Sequence, residues 1–345
     1  MGEPPMSCLA IDIGGANLKA ADGCGYAATC PFAVWKQPEL LAVELGQLLK
    51  AAPPSDSLAV TMTAELADCF VTKAEGVRQI LDAVEAAASG RGVGVYQVDG
   101  QLVSVATARK TPLLAAASNW HALAAFANRY VTAWPALLID LGSTTADLIP
   151  LDPHGPIAAG LHDSERLASG ELVYTGVERT PLCALVRLLP WQGHDCPVAA
   201  ELFATTADAY LMLGELPEEP ENQDTTDGRP RTWPHALARL ARMVCADADS
   251  FTVEDARQAA ATVREAQLDL LLTAVEKVVT RLGATPKTVI TSGHGEFLLQ
   301  HLLARLPWHA DVLSLTEELG PAVSRCAPAH ALAVLARERK VAHTI

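Results

Sequence analysis

The sequence predicts an α/β protein of two units, each a mixed sheet with helices on both faces, and three observations predict it. At 345 residues the chain is long enough for two sizeable cores. Short apolar runs of strand character alternate with longer runs of helical periodicity along most of its length. Two segments about half a chain apart also read almost alike, C-L-A-I-D-I-G-G-A-N-L-K at residues 8–19 and L-L-I-D-L-G-S-T-T-A-D-L at residues 137–148. Each is an apolar run ending in Asp, then Gly within two residues, small polar residues and a second apolar stretch. That pattern is a buried strand, a tight turn and a returning strand. The repeat divides the chain into units at residues 1–132 and 133–345.

In the first unit, residues 8–13 read as a strand, with 17–22 and 25–31 as antiparallel partners around Asp22-Gly23. A helix over 38–51 is closed by Pro53-Pro54, which cannot continue it. Residues 57–61 form a short strand, and 76–89 an amphipathic helix ended by Gly90-Arg91-Gly92. A strand at 93–98 and a strongly helical run over 113–130 follow, and Trp134-Pro135 marks the boundary. The second unit repeats the opening with strands near 137–141, 145–151 and 156–160. It then departs into a largely helical insert at about 167–249. Within that insert, residues 214–233 are rich in Pro, Glu, Asp and Thr, the composition of a mobile loop. A helix over 253–282, a strand at 288–292, a helix at 296–305, a strand at 310–315 and a final helix at 322–339 complete it.

A formal charge of −14 argues against nucleic acid or an anionic membrane as partner. An anionic substrate would need local basic residues or a metal to overcome that field. No apolar run reaches the ~18 residues needed to span a bilayer. The opening M-G-E-P-P-M-S lacks the basic and apolar regions of a signal peptide, so the expected location is the cytoplasm. Eight cysteines are scattered without a C-x-x-C pair, as in reduced, mostly buried thiols. His194-Asp195-Cys196 offers two ligand types for zinc, but nothing nearby completes four.

The paired strand-turn-strand units, with the late strand followed by Ser292-Gly293-His294-Gly295, resemble the acetate kinase, sugar kinase, Hsp70 and actin superfamily. The resemblance implies two ribonuclease H-like domains with an interdomain cleft, the two turns gripping phosphates and metal from opposite sides. It also places an adenosine pocket at the late Gly-rich turn. Longer segments are similar to one subgroup: V-T-M-T-A-E-L-A-D-C-F at 60–70, E-R-L-A-S-G-E-L-V-Y-T-G-V-E-R-T-P at 165–181, A-E-L-F-A-T-T-A-D-A-Y-L-M-L-G at 200–214, and D-G-R-P-R-T at 227–232 followed by A-R-L-A-R-M-V-C-A-D. These resemble hydantoinase/oxoprolinase-related proteins of tetrahydromethanopterin-linked one-carbon transfer. Archaeal members of that group include the methanofuran-pathway synthase of an aminomethylfuran–glutamyltyramine ether.

Candidate residues follow. Asp12 and Asp140 end the two repeated strands, where carboxylates can hold a divalent cation such as Mg²⁺ against a phosphate. One such Asp would be read as a turn cap; two in matched contexts point to metal binding. Gly14, Gly15 and Gly142 supply the backbone geometry that exposes N–H donors. Asn17 follows the first turn, and Lys19 either reaches a phosphate or decorates a strand. Ser143, Thr144 and Thr145 offer hydroxyls to phosphate. Asp147 lies among apolar residues, where an unpaired carboxylate is costly, and joins the metal candidates. Glu65 and Asp68, three apart after a strand, would share one face of a helical turn and suit acid–base chemistry. Asn119 and His121 sit on an Ala-rich helix, where a buried, hydrogen-bonded histidine is the common outcome.

The resemblance adds Glu171, Tyr174, Thr175 and Arg179 as substrate contacts, Glu171 toward metal and Arg179 toward an anion, and Arg229 from the later segment. Gly293 and Gly295 either admit a base or substrate ring or only make a turn. What it implies chemically is a transferase joining an aminomethylfuran diphosphate to a glutamyltyramine-type phenol, with pyrophosphate released and Asp68 or Glu65 as base. Two other readings stay open: an ATP-dependent small-molecule kinase or amidohydrolase-like enzyme, and a non-catalytic nucleotide-binding scaffold. The expected partner is a phosphorylated small molecule.

Overall fold

Two mixed sheets organise the chain in the computed structural model, which describes residues 7–342. The first comprises β1 (Cys8–Ile13), β2 (Asn17–Ala21), β3 (Ala27–Pro31), β4 (Ser57–Met62), β5 (Gly92–Tyr96) and β6 (Leu102–Ser104), in the order β3-β2-β1-β4-β5-β6. The second is built from β7 (Ala136–Leu141), β8 (Ala146–Asp152), β9 (Gly155–Pro156) and β10 (Leu172–Val173), then, after a separate hairpin of β11 (Leu188–Trp191) and β12 (His194–Pro197), from β13 (Thr288–Ser292) and β14 (Asp311–Ser314). Its order is β10-β8-β7-β13-β14, with β9 also on β8. The two match around their centres. β1 is flanked by antiparallel β2 and parallel β4, and β7 by antiparallel β8 and parallel β13. This is the expected pair of ribonuclease H-like α/β units.

β1 and β4 are buried along their whole length and β7 at every position but Asp140, which is why all three read as nearly continuous apolar runs. One face of the first sheet is covered by the helices Leu41–Ala51 and Lys73–Ala87, through residues such as Leu45, Leu49, Val77 and Ile80. Thr72 caps the second helix by accepting from the Glu75 amide at 3.1 Å. The other face is covered from the far end of the chain. The final helix, Ala327–Ala342, packs against β1, β2 and β4 and against the helix Asn119–Ala127. Leu332, Ala333 and Ala336 meet Ala10 and Ala59 of the first sheet, while Ala327 and Ala331 join a cluster with Leu138, Ile149 and Ile290 of the second. The helix assigned by sequence to the second unit therefore lies between both sheets.

Several local expectations change. The helical run over 113–130 is broken into Pro112–Ala115 and Asn119–Ala127, with Ala117 at φ 46° between them, where the chain turns to run between the sheets. The strand expected near 156–160 shrinks to Gly155–Pro156. The insert contains a hairpin that Pro190 and Pro197 mask in the sequence; its turn uses Gln192 and Gly193, both at positive φ. His194 and Cys196 lie on this hairpin. The acidic loop at 214–233 is tethered. Thr226 donates to the Phe203 carbonyl at 2.6 Å, the Trp233 amide donates to Glu218 at 2.7 Å, and Asp227 accepts from Arg239 at 3.0 Å. Arg239 is itself fully buried against Asp208, so the loop's acidity finds a cationic partner. Among the described residues no helix is long and apolar enough to cross a membrane. The first six residues, on which the expectation about a leader rests, lie outside the described residues.

Candidate active site

The repeated turns have the same geometry. Gly14 N–H donates to the Asn17 carbonyl at 3.0 Å, and Gly142 N–H to the Thr145 carbonyl at 2.9 Å. Each turn thus closes on its first glycine and leaves its middle residues outside the ladder. No intramolecular acceptor meets the N–H groups of Gly15, Ala16, Ser143 or Thr144 among the described residues. Half-exposed, unpaired amides in a tight turn are what an anion requires.

The carboxylates lie just before these turns, at the carboxyl ends of β1 and β7. Asp12 is buried, and its Oδ1 meets no hydrogen-bond donor. Burial raises its pKa, and the ammonium of Lys19, directly opposite on β2, pulls the other way. Asp140 is pushed up to about 6, first by burial and then by Asp147, its register partner on β8. The Ser292 hydroxyl and Lys19 oppose that rise, and Glu296 adds to it. Lys19 from the first unit therefore acts on the carboxylates of both units.

Asp147 is not free. Its Oδ1 accepts from the buried Arg166 guanidinium at 2.8 Å, and Arg166 also stacks on Trp120, with 4.1 Å from Cζ to the ring centroid. Burial still raises the Asp147 pKa against that partner. Glu65 and Asp68 do not share a face. The turn carrying Glu65 is a three-residue 3₁₀ helix, Ala64–Leu66, that ends in extended backbone, so Glu65 points inward and Asp68 is exposed. Neither Glu65 oxygen has a hydrogen-bonding partner, and burial drives its pKa up to about 8. Nearby backbone N–H groups and Lys73 partly offset that rise, while Asp163 adds to it. Lys73 pairs with Asp163 at 2.5 Å, joining a helix of the first unit to one of the second. No sequence signal marked this pair, because its partners are 90 residues apart.

The segment from Glu171 to Thr180 divides between architecture and site. Glu171 is fully buried, accepts from the amides of Ala159 (2.7 Å) and Gly160 (3.3 Å), and is paired with Arg281, so both oxygens are engaged inside the fold. Thr175 is buried and accepts from Gln267 at 2.7 Å. These two are corrected from substrate contacts to structural residues. Tyr174 is exposed. Gly176, which the sequence reading did not single out, packs against the second turn so closely that a Cβ there would lie 2.3 Å from Ser143 C and Thr144 N. Arg179 donates its amide to the Ser143 carbonyl at 3.0 Å and lays its guanidinium over Trp35 of the first unit, 4.9 Å from the ring centroid. The loop bearing Trp35 is tied to the first turn by Val34 N–H to the Gly15 carbonyl at 2.9 Å. Arg179 thus spans from one turn to the other. Arg229 is exposed beside Asp227 in the tethered loop.

Gly293 and Gly295 make a turn. Their missing side chains leave room for Leu141 and Asp140, since a Cβ at Gly293 would lie 2.3 Å from the Leu141 carbonyl oxygen and one at Gly295 2.3 Å from Leu141 Cγ. The space is taken by the protein itself, not by a ring. His121 is likewise internal, its Nδ1 3.0 Å from the Tyr96 hydroxyl and its pKa lowered to about 4 by burial. A cavity of about 440 Å³ lies beside β13 and β14, lined by Thr291, Glu296, Gln300, Ser314 and Glu317 among others.

For a metal, the described residues hold no preformed group of three or more His, Cys, Asp or Glu ligands. Asp12 and Asp140 are the carboxylates left for one, and the Asp12 Oδ1 meets no hydrogen-bond donor that would compete with a cation. Two carboxylates with the remaining ligands drawn from water and a bound anion suit magnesium, which seldom takes an all-protein cage.

The hydantoinase/oxoprolinase family description matches residues 56–339. The chain belongs to this family. It is 35% identical over 335 residues, 96% of this chain and 98% of the relative, to the (4-{4-[2-(gamma-L-glutamylamino)ethyl]phenoxymethyl}furan-2-yl)methanamine synthase of Methanocaldococcus jannaschii. A relative of the same name from Methanococcus vannielii is 32% identical over 201 residues, 58% of this chain and 89% of its own. Among solved structures it is similar to the activator of the 2-hydroxyisocaproyl-CoA dehydratase from Clostridium difficile, at 11% identity and a TM-score of 0.45, covering 99% of this chain and 98% of that one. An archaeal actin homologue is similar at 10% identity and a TM-score of 0.45, covering 96% and 100%.

Proposed function

We propose that the protein is a transferase of methanofuran-type cofactor biosynthesis in one-carbon metabolism. It joins an aminomethylfuran diphosphate to the phenol of a glutamyltyramine-type acceptor and releases pyrophosphate. The observation that carries this reading is the 35% identity, along 96% of this chain, to a synthase whose name describes a phenoxymethyl-furan ether. The site supports it chemically. The unpaired amides of the two turns, the Ser143, Thr144 and Thr145 hydroxyls and the Lys19 ammonium receive the diphosphate oxygens. Asp12 and Asp140 would hold magnesium, which neutralises charge building on the departing pyrophosphate. The furan shares positive charge at its methylene carbon as the carbon–oxygen bond to the diphosphate lengthens, and the phenol oxygen closes on that carbon.

Glu65 takes a different role from the one expected. With its pKa near 8 it is protonated at neutral pH, so it offers a proton rather than a standing base. Asp68 is exposed and does not share its face. Arg179, anchored on the second turn and lying over Trp35, is placed to receive an anionic group of substrate at the boundary between the units.

The test is to mix the purified protein with the furan diphosphate, glutamyltyramine and Mg²⁺, with and without ATP. Ether and pyrophosphate in equal amounts, with ATP neither consumed nor required, is the expected outcome. Product accompanied by stoichiometric ADP would return the chain to an ATP-dependent kinase, and no ether under either condition would end the synthase reading.

A further inference from the structure

The proposed ether formation needs a base for a phenol of pKa near ~10, and Glu65, raised to about 8, holds its proton at neutral pH. One ionisable pair at the site has no role in the scheme so far. His294 follows Gly293 in the turn after β13, and Gly293 is so close to Asp140 that a Cβ there would lie 2.8 Å from Asp140 Oδ1. The imidazole Nδ1 lies 3.5 Å from Glu178 Oε1. The Glu178 amide donates to the Ser143 carbonyl at 3.1 Å, which ties the carboxylate to the second anion-binding turn. The other Glu178 oxygen faces Arg231 at 3.4 Å.

One imidazole nitrogen thus lies toward a carboxylate whose backbone is fixed on the second turn. His294 retains 37% side-chain exposure, and Nε2 has no partner among the described residues. Burial pushes Glu178 upward, but His294 and Arg231 outweigh it and hold the carboxyl below its usual range, so it stays ionised. An ionised carboxylate that closes on Nδ1 to hydrogen-bond distance would favour the tautomer with the proton there and leave Nε2 as the acceptor. The charged groups placed at the ring are Glu178 and, on the far oxygen of that carboxylate, Arg231.

Resting on the synthase reading, we propose that His294 is the catalytic base of ether formation, with Glu178 its positioning residue. As the phenol oxygen bonds to the furan methylene, the bond from that carbon to the diphosphate breaks and its electron pair leaves with pyrophosphate. The phenol proton moves to Nε2 and passes from there to solvent. The 3.5 Å separation from Glu178 is wider than a hydrogen bond, and the assignment requires it to shorten in the substrate complex.

The experiment compares wild type, His294→Gln and Glu178→Gln, using glutamyltyramine and ring-fluorinated analogues of graded phenol acidity. His294→Gln should lower kcat by about 10²–10³-fold with the KM for the furan diphosphate unchanged, and should remove the acidic limb of the kcat–pH profile. Its defect should shrink as the phenol becomes more acidic, because a more acidic phenol needs less help. Glu178→Gln should move the acidic limb to lower pH, since a neutral amide no longer favours the imidazolium. A His294→Gln enzyme that keeps the limb, or loses activity equally with every phenol, overturns the base assignment while leaving the synthase reading intact. A wild-type protein that forms no ether overturns the reaction, and this assignment falls with it.

Discussion

Glu65 holds a carboxyl group in the interior with neither oxygen satisfied, and that has a cost that depends on pH. Its folded pKa, near 8, lies above the ordinary 4.5, so the folded state keeps a proton that the unfolded chain releases. The stability this confers is complete below about pH 4.5, declines as pH rises, and is lost by about pH 8, at up to about 1.4 kcal/mol per pH unit. Thermal melts from pH 5 to 9 should show wild type falling relative to Glu65→Gln up to about pH 8 and running parallel to it beyond. Parallel curves throughout would mean that the carboxyl finds a partner in solution. Asp12 and Asp140 carry the same sign of strain. Asp12→Asn and Asp140→Asn should each abolish magnesium-dependent pyrophosphate release yet leave the metal-free melting temperature unchanged or raised. A lower melting temperature in both variants would mark these carboxylates as structural. The sequence pattern singled out both aspartates because the repeat exposes them. It could not show that Glu65 and Asp68 part company, because that depends on a 3₁₀ turn ending after one cycle.

At the scale of single elements, glycines separate architecture from function. Gly176 approaches the second turn so closely that an added methyl group would meet backbone, which cannot swing aside. Gly176→Ala should cost about 2 kcal/mol or more and displace the Ser143 turn, read as a lower melting temperature together with lost activity. At Gly15, by contrast, a Cβ would meet nothing within 4 Å. Gly15→Ala should leave the melting temperature within a degree or two of wild type while weakening diphosphate binding, since only a ligand would approach that face. Unchanged affinity for inorganic pyrophosphate in Gly15→Ala would remove the first turn from the anion site. The insert teaches a related lesson. Its acidic loop has the composition of a mobile segment, but Arg239 and Arg242 stand where Asp227 can pair with them.

Across the whole molecule, the final helix joins what the repeat divides. Leu332 is fully buried against the first sheet, although it lies more than 200 residues beyond the last strand of that sheet. Leu332→Ala should cost about 2–5 kcal/mol, and hydrogen exchange should accelerate in β1 and β4 more than in β14. Acceleration confined to the second sheet would contradict the packing described. Lys73–Asp163 and Trp35–Arg179 also connect the units, so changes at either contact are felt by groups of the site on both sides.

By itself the sequence determined the two-unit α/β plan, the strands that carry it, the family resemblance and the paired Asp-x-Gly turns. All of these are local patterns or repeats of local patterns, written in neighbouring residues. Tertiary structure alone decided which charges meet. It gave Asp147 to Arg166, Glu171 to Arg281 and Glu178 to His294, and left one oxygen of Asp12 and both of Glu65 without a hydrogen-bond partner. It also brought the last helix back to the first sheet. Coulomb energy and desolvation depend on distance and burial in space, and neither follows from spacing along the chain.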